Sequence, residues 1–221
     1  MDNISKINPR TKLPITEEES HYDVWARHSF LYSFIKKLIK IVAKFTWHPT
    51  AYSIENIPKQ GGAIVACNHR YYTGTFTCIL LIERKIFLIG KSQLFRKPTA
   101  WFYRNIGVIP IDRSKRNKNA RNYVVELLRR GELINIYPEG TINRASEMLP
   151  FKFGAVSMAK KAGVPIIPTA IFKHKIVFGL PMKVTGDLET ANRKLREAIE
   201  TLLNENTPSK MRNKSGKDKQ K

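Results

Sequence analysis

Ala63-Ile64-Val65-Ala66-Cys67-Asn68-His69-Arg70-Tyr71-Tyr72-Thr73-Gly74 passes from five apolar residues straight into a polar turn. An apolar run of this length without polar alternation predicts a strand buried on both faces, as in a parallel sheet covered by helices. Asn68 and His69 then stand at a strand end, where such sheets present reacting groups. Four more runs rich in Ile or Val, at 86–89, 108–111, 133–137 and 165–171, have the same character. Segments with helical length or spacing lie between and after them, at 74–81, 94–106, 119–130, 153–162 and 188–203. Strand and helix in alternation predict the α/β class, with a mixed, mainly parallel sheet covered by helices.

Composition bounds this reading. With 221 residues and 42% hydrophobic content, the chain suits one globular domain. Its 39 Lys and Arg against 18 Asp and Glu leave +21, which calls for a polyanionic partner: a phospholipid surface, nucleic acid or a phosphorylated substrate. Cys67 and Cys78 sit in apolar surroundings and are expected as buried free thiols. The four-part organisation is a polar, flexible leader at 1–20, an amphipathic membrane-proximal helical segment at 21–48, the α/β domain at 49–205 and a basic disordered tail at 206–221. In the second part, Phe30, Leu31, Phe34, Ile35, Leu38, Ile41, Val42 and Phe45 recur at helical spacing, with Lys36, Lys37, Lys40 and Lys44 on the opposite arc. Four lysines argue against a membrane span, which needs about 20 predominantly apolar residues. An interfacial helix beside the substrate entrance and an ordinary helix packed on the domain both remain open.

Four blocks carry chemistry. Asn68 and His69 close the first strand. The second block, 107–113, ends in Asp112 and Arg113, a fixed cation suited to a phosphate. The third, 136–141, stops at Pro138 and delivers Glu139, Gly140 and Thr141 into a turn. There Gly140 permits close approach of a ligand, Thr141 offers a hydroxyl and Glu139 accepts hydrogen bonds. The fourth, 163–168, is an apolar strand bracketed by Pro165 and Pro168, whose use is shape.

In this order and at these spacings the blocks resemble the glycerophospholipid acyltransferase superfamily, in particular the 1-acylglycerol-3-phosphate acyltransferases. The likeness runs from about Ala63 to Pro168 and includes Pro150-Phe151-Lys152-Phe153-Gly154, similar to the family's Phe-Lys-x-Gly segment. The chain departs from the pattern twice. Gly74 stands where the first motif has Asp, five residues after the His, and Ile142 stands where the third has Arg.

The resemblance implies transfer of a fatty acyl group from acyl-CoA or acyl carrier protein to the hydroxyl of a lysophospholipid, lysophosphatidic acid in the first place. It implies His69 and Asn68 as the catalytic pair, with His69 as general base. Asp112, Arg113, Glu139, Gly140, Thr141 and Arg144 are implied in substrate binding, Arg113 and Arg144 at the acceptor phosphate. Thr73, Thr75, a backbone carbonyl, Asp112 or Glu139 would orient His69 in place of the missing acid. The donor is a co-substrate, so no cofactor is implied, and no metal-ligand spacing is found. The partners implied are the membrane phospholipid surface, the lysophospholipid and the acyl donor, at the cytoplasmic face of a membrane in peripheral or monotopic fashion. Two other readings stay open: a catalytically impaired or inactive homologue that binds lysophospholipid or membrane, and a basic nucleic-acid-binding protein. The second has no motif in its favour.

Overall fold

The computed structural model describes residues 30–46, 48–71, 73–95, 99–111, 118–145 and 147–206. The expected leader, the first part of the helical segment and the tail from 207 onward lie outside the described residues.

Seven strands form a single sheet: β1 (Thr50–Tyr52), β2 (Ala63–Cys67), β3 (Ile86–Lys91), β4 (Val108–Ile111), β5 (Leu133–Ile136), β6 (Ile166–Ile171) and β7 (Lys175–Phe178). Their spatial order is β1-β7-β6-β2-β5-β3-β4. The five strands from β6 to β4 are parallel, β7 folds back antiparallel on β6, and β1 runs parallel to β7. Six helices accompany them among the described residues: α1 (Phe30–Thr46), α2 (Thr73–Leu81), α3 (Thr99–Asn105), α4 (Lys118–Arg129), α5 (Gly154–Ala162) and α6 (Leu188–Asn206).

The opening strand is buried at every residue, as an apolar run without alternation requires. Ile64 and Ala66 face one core, with Val124 and Leu128 of α4, Val156 and Ala159 of α5, and Leu195 and Ile199 of α6. Ala63, Val65 and Cys67 face the other, with Cys78 and Ile79 of α2 and Tyr32 of α1. The two cysteines are buried and free.

Two strands were not foreseen. β1 and β7 have three and four residues, too few for a period to stand out, and β1 pairs with a strand far along the chain, while β7 turns back at once onto β6. The helix expected over 94–106 is instead a 3-10 turn at Ser92–Phe95 and a separate helix, α3, which Pro98 precedes in the sequence.

α1 also departs from the expected division of its faces. Tyr32 and Ala43 are buried, while Phe30, Phe34, Leu38, Ile41, Val42 and Phe45 are exposed, Phe30 by 86% and Phe45 by 76%. The helix therefore docks through a narrow face and leaves its broad apolar face open. Lys36 does not join the outer lysines: its ammonium donates to the carbonyls of Ile82 at 2.6 Å and Glu83 at 3.0 Å, just past the end of α2. The Tyr32 hydroxyl accepts the Ile86 N–H at 3.4 Å. Through the register with Leu133, Ile86 is level with Ala63, so the first half of α1 is anchored at the end of the sheet opposite His69, not beside the polar turn.

Candidate active site

β2 passes through α2 to β3 on one side, whereas β5 passes through α5 to β6 on the other, and the two helices cover opposite faces. The carboxyl ends of β2 and β5 thus flank a point where the connections diverge, the place at which open α/β sheets form a ligand crevice.

Asn68 continues β2 by one residue through its side chain. Its buried amide accepts the Ile171 N–H at 2.7 Å and donates to the Ile171 carbonyl at 3.1 Å, so a side chain stands in for one rung of the β2–β6 ladder. His69 follows, and both its backbone groups are held. Its N–H donates to Glu139 Oε1 at 3.0 Å, and its carbonyl accepts the Asn143 N–H at 2.8 Å. The imidazole lies flat on the Tyr137 ring, with centroids 3.9 Å apart and 20° between planes, and its Nδ1 is buried.

Glu139 is 4% exposed, and both carboxylate oxygens are engaged inside the protein. Besides the His69 N–H, it accepts Asn143 Nδ2 at 2.9 Å and the Leu149 N–H at 3.0 Å. Charge-assisted bonds of this kind are the strong ones. The carboxylate ties the third block to the first and holds the backbone of His69, not its ring. Asn143 completes the clamp, accepting the Ala145 N–H at 3.0 Å and donating to the Glu147 carbonyl at 2.6 Å.

Gly140 has φ +74°, a left-handed conformation that favours glycine. A β-carbon there would stand 2.9 Å from Lys152 Nζ and 3.1 Å from its Cδ, so the lysine lies across the turn where any other residue would project. Lys152 is anchored through its N–H to the Pro138 carbonyl at 2.9 Å, and its side chain is exposed. Thr141 and Arg144 are exposed, and Ile142 is half-buried.

Of the suggested orienters, Thr73 begins α2, and the Thr75 hydroxyl meets the Tyr137 hydroxyl at 2.8 Å. Gly74 is buried in the first turn of α2 against Ile171. Asp112 and Arg113 lie outside the described residues. Tyr137 and Asn143 were not singled out from sequence, and Lys152 entered there only within the segment similar to Phe-Lys-x-Gly. Tyr137 counts there as the last apolar residue of a strand, and the bonds of Asn143 exist only because the chain folds back on itself.

The profile of the acyltransferase family matches residues 48–172, more than half of the chain. The chain belongs to the acyltransferase family. A 1-acyl-sn-glycerol-3-phosphate acyltransferase of Bacillus subtilis (strain 168) is 26% identical over 189 residues, covering 79% of this chain and 94% of that protein. Enzymes of the same name from Haemophilus influenzae and Escherichia coli (strain K12) are 38% and 34% identical, over 48% and 50% of this chain and 46% and 47% of theirs. The crystal structure of the 1-acyl-sn-glycerophosphate acyltransferase from Thermotoga maritima superposes with a TM-score of 0.66, covering 84% of this chain and 86% of that one at 22% identity. That likeness concerns the fold, and it agrees with the mixed, mainly parallel sheet found here. This acyltransferase has no helix among its described residues that is long and apolar enough to cross a membrane.

Proposed function

We propose that this acyltransferase moves a fatty acyl group from a thioester, acyl-CoA or acyl carrier protein, to the hydroxyl of lysophosphatidic acid, giving phosphatidic acid. The observation that carries the proposal is the fixed placement of His69 at the crevice, with both backbone groups clamped and its ring stacked. The names of the relatives support the acceptor.

The chemistry asks little of the protein. An alcohol is a weak nucleophile at neutral pH, and a neutral imidazole within hydrogen-bond reach removes its proton as the oxygen attacks the thioester carbonyl. The C–S bond then breaks, and the imidazolium returns the proton to the departing thiolate. No covalent acyl-enzyme is needed. For the acceptor phosphate, Lys152 supports the reading by carrying a positive charge over the Gly140 turn, close to Arg144 in the chain, while Ile142 brings none. Arg113 remains part of the proposed phosphate site on sequence grounds. The exposed apolar face of α1, with Lys37, Lys40 and Lys44 on its outer side, supports peripheral attachment to the cytoplasmic face of a membrane.

The test supplies purified protein with a labelled acyl thioester and lysophosphatidic acid. Labelled phosphatidic acid is expected, its formation abolished by His69→Ala, and Lys152→Gln should raise KM for lysophosphatidic acid without raising it for the phosphate-free monoacylglycerol. Product that survives His69→Ala removes the general base. No product from the natural chain, with lysophosphatidic acid still bound, would leave the impaired-homologue reading in possession of the field.

A further inference from the structure

We infer that Tyr137 is the positioning residue for the His69 imidazole and that Thr75, by holding the Tyr137 hydroxyl, fixes the far end of the ring on which the imidazole rests. This rests on His69 as the proposed base.

Three observations converge. The ring of Tyr137 lies 3.9 Å from that of His69, with 20° between planes, so it restricts rotation of the imidazole out of one plane. The pair is closer than the roughly 4.5–7 Å usual between aromatic centroids, so the two faces are in direct contact. Tyr137 is itself held at its far end, because its hydroxyl and that of Thr75 are 2.8 Å apart. A ring tethered at the para position cannot swing its far end sideways, because the hydroxyl oxygen on its long axis is held. Finally, Thr75 is the neighbour of Gly74 in the first turn of α2. The turn that carries glycine at position 74 presents a hydroxyl at 75, and that hydroxyl reaches the imidazole through the phenol ring.

Electrostatics suit this arrangement. Burial, first among the causes, pushes the Tyr137 phenol well above its usual value, so it stays neutral wherever His69 acts as a base. The face of an aromatic ring attracts a cation. As His69 takes the proton from the acceptor hydroxyl, the charge appears against that face, and the stack strengthens as the proton transfers. An interaction stronger in the transition state than in the ground state raises kcat, not affinity. Tyr137 touches the base and no reacting atom, so its effect passes through His69.

The experiment measures kcat and KM for the full chain and the variants Tyr137→Phe, Tyr137→Leu, Thr75→Val and the double Thr75→Val/Tyr137→Phe. The His69 ring-proton shifts are followed by NMR in each. Tyr137→Leu is expected to lower kcat by about 10²-fold, the order of loss from a small misplacement of a catalytic group, with KM near the natural value. Tyr137→Phe keeps the face and should recover most of that loss. Thr75→Val should match Tyr137→Phe, and the double should match either single, since both remove one bond. The upfield ring-current shift of His69 should vanish only in Tyr137→Leu. Natural kcat in Tyr137→Leu, or a loss confined to KM, overturns the inference, and additive losses in the double overturn the part given to Thr75. Should Tyr137→Leu fail to fold, Thr75→Val alone decides, because an unchanged kcat together with unchanged His69 shifts removes the tether. His69→Ala in the same assay separates the two readings. Activity retained there removes the base itself, whereas activity lost there and kept in Tyr137→Leu removes only the positioning role.

Discussion

At position 74 a β-carbon would stand 3.1 Å from Cγ2 and 3.3 Å from Cδ1 of Ile171. Contacts that close require Ile171 to shift by a few tenths of an ångström, and Ile171 is pinned through its backbone to Asn68. A side chain at position 74 therefore has room only if the Ile171 side chain moves. Gly74→Asp is expected to destabilise the protein by about 1–3 kcal/mol through overpacking and to bring no gain in rate. Ile171→Ala alone should cost about 2–5 kcal/mol, as buried aliphatic truncations do. Because each change relieves the other, the double variant should fall short of the sum by at least ~0.5 kcal/mol in urea unfolding. Strict additivity would mean that the two side chains do not meet.

At the scale of elements, α1 carries two kinds of lysine that look alike in sequence. Lys36 is tied to the carbonyls of Ile82 and Glu83, and burial lowers its pKa, with Lys40 adding to the shift. Lys37, Lys40 and Lys44 are exposed. A lysine near an anionic bilayer contributes about 1 kcal/mol, so neutralising these three should weaken binding to phosphatidylserine vesicles by roughly 10²-fold at low salt. Lys36→Met should leave vesicle binding intact and lower the unfolding midpoint instead. Vesicle sedimentation and urea melts on the two variants separate these effects. Equal binding by the triple variant and the natural chain would count against the electrostatic part of the membrane proposal.

Across the whole molecule, Lys85 provides a stability probe remote from the crevice. It precedes β3, is 5% exposed, and places its ammonium 4.6 Å from the Phe87 ring centre and 5.5 Å from that of Tyr32. Burial lowers its pKa to about 8, with Glu132 opposing the shift. The unfolded chain keeps that proton up to the ordinary value of 10.5. Between these two values the unfolded state binds more protons, so this group makes stability rise with pH above about 8. Urea midpoints measured from pH 8 to 10 should show this contribution in the natural protein and lose it in Lys85→Met. Identical pH slopes in the two proteins would refute the assignment.

How much was legible follows from the same physics. The five parallel strands announce themselves because strands buried on both faces are near-continuously apolar, β2 at every position and β5 and β6 with Asn135 and Thr169 as buried exceptions. Asn68 and His69 could be placed at a strand end for the same reason. β1 and β7 escaped because their stability comes from partners more than a hundred residues away in one case, and a three-residue strand has no period of its own. Position along the chain also misled at Glu139: a polar residue in a glycine turn suggests contact with a ligand, yet its carboxylate binds three donors of the protein itself. Folding brings in the His69 donor from 70 residues away, whereas Asn143 and Leu149 follow Glu139 by 4 and 10 residues in the turns after β5.

By itself, then, the order of apolar runs and polar turns determined the α/β class, the place of Asn68 and His69 at the end of β2 and the absence of an acid at 74, since each depends on local pattern or residue identity alone. The tertiary structure decided what surrounds His69. A stacked phenol, a clamping carboxylate and a lysine over Gly140 are contacts between residues distant in sequence, and their geometry is set by the packing of β2 between β5 and β6.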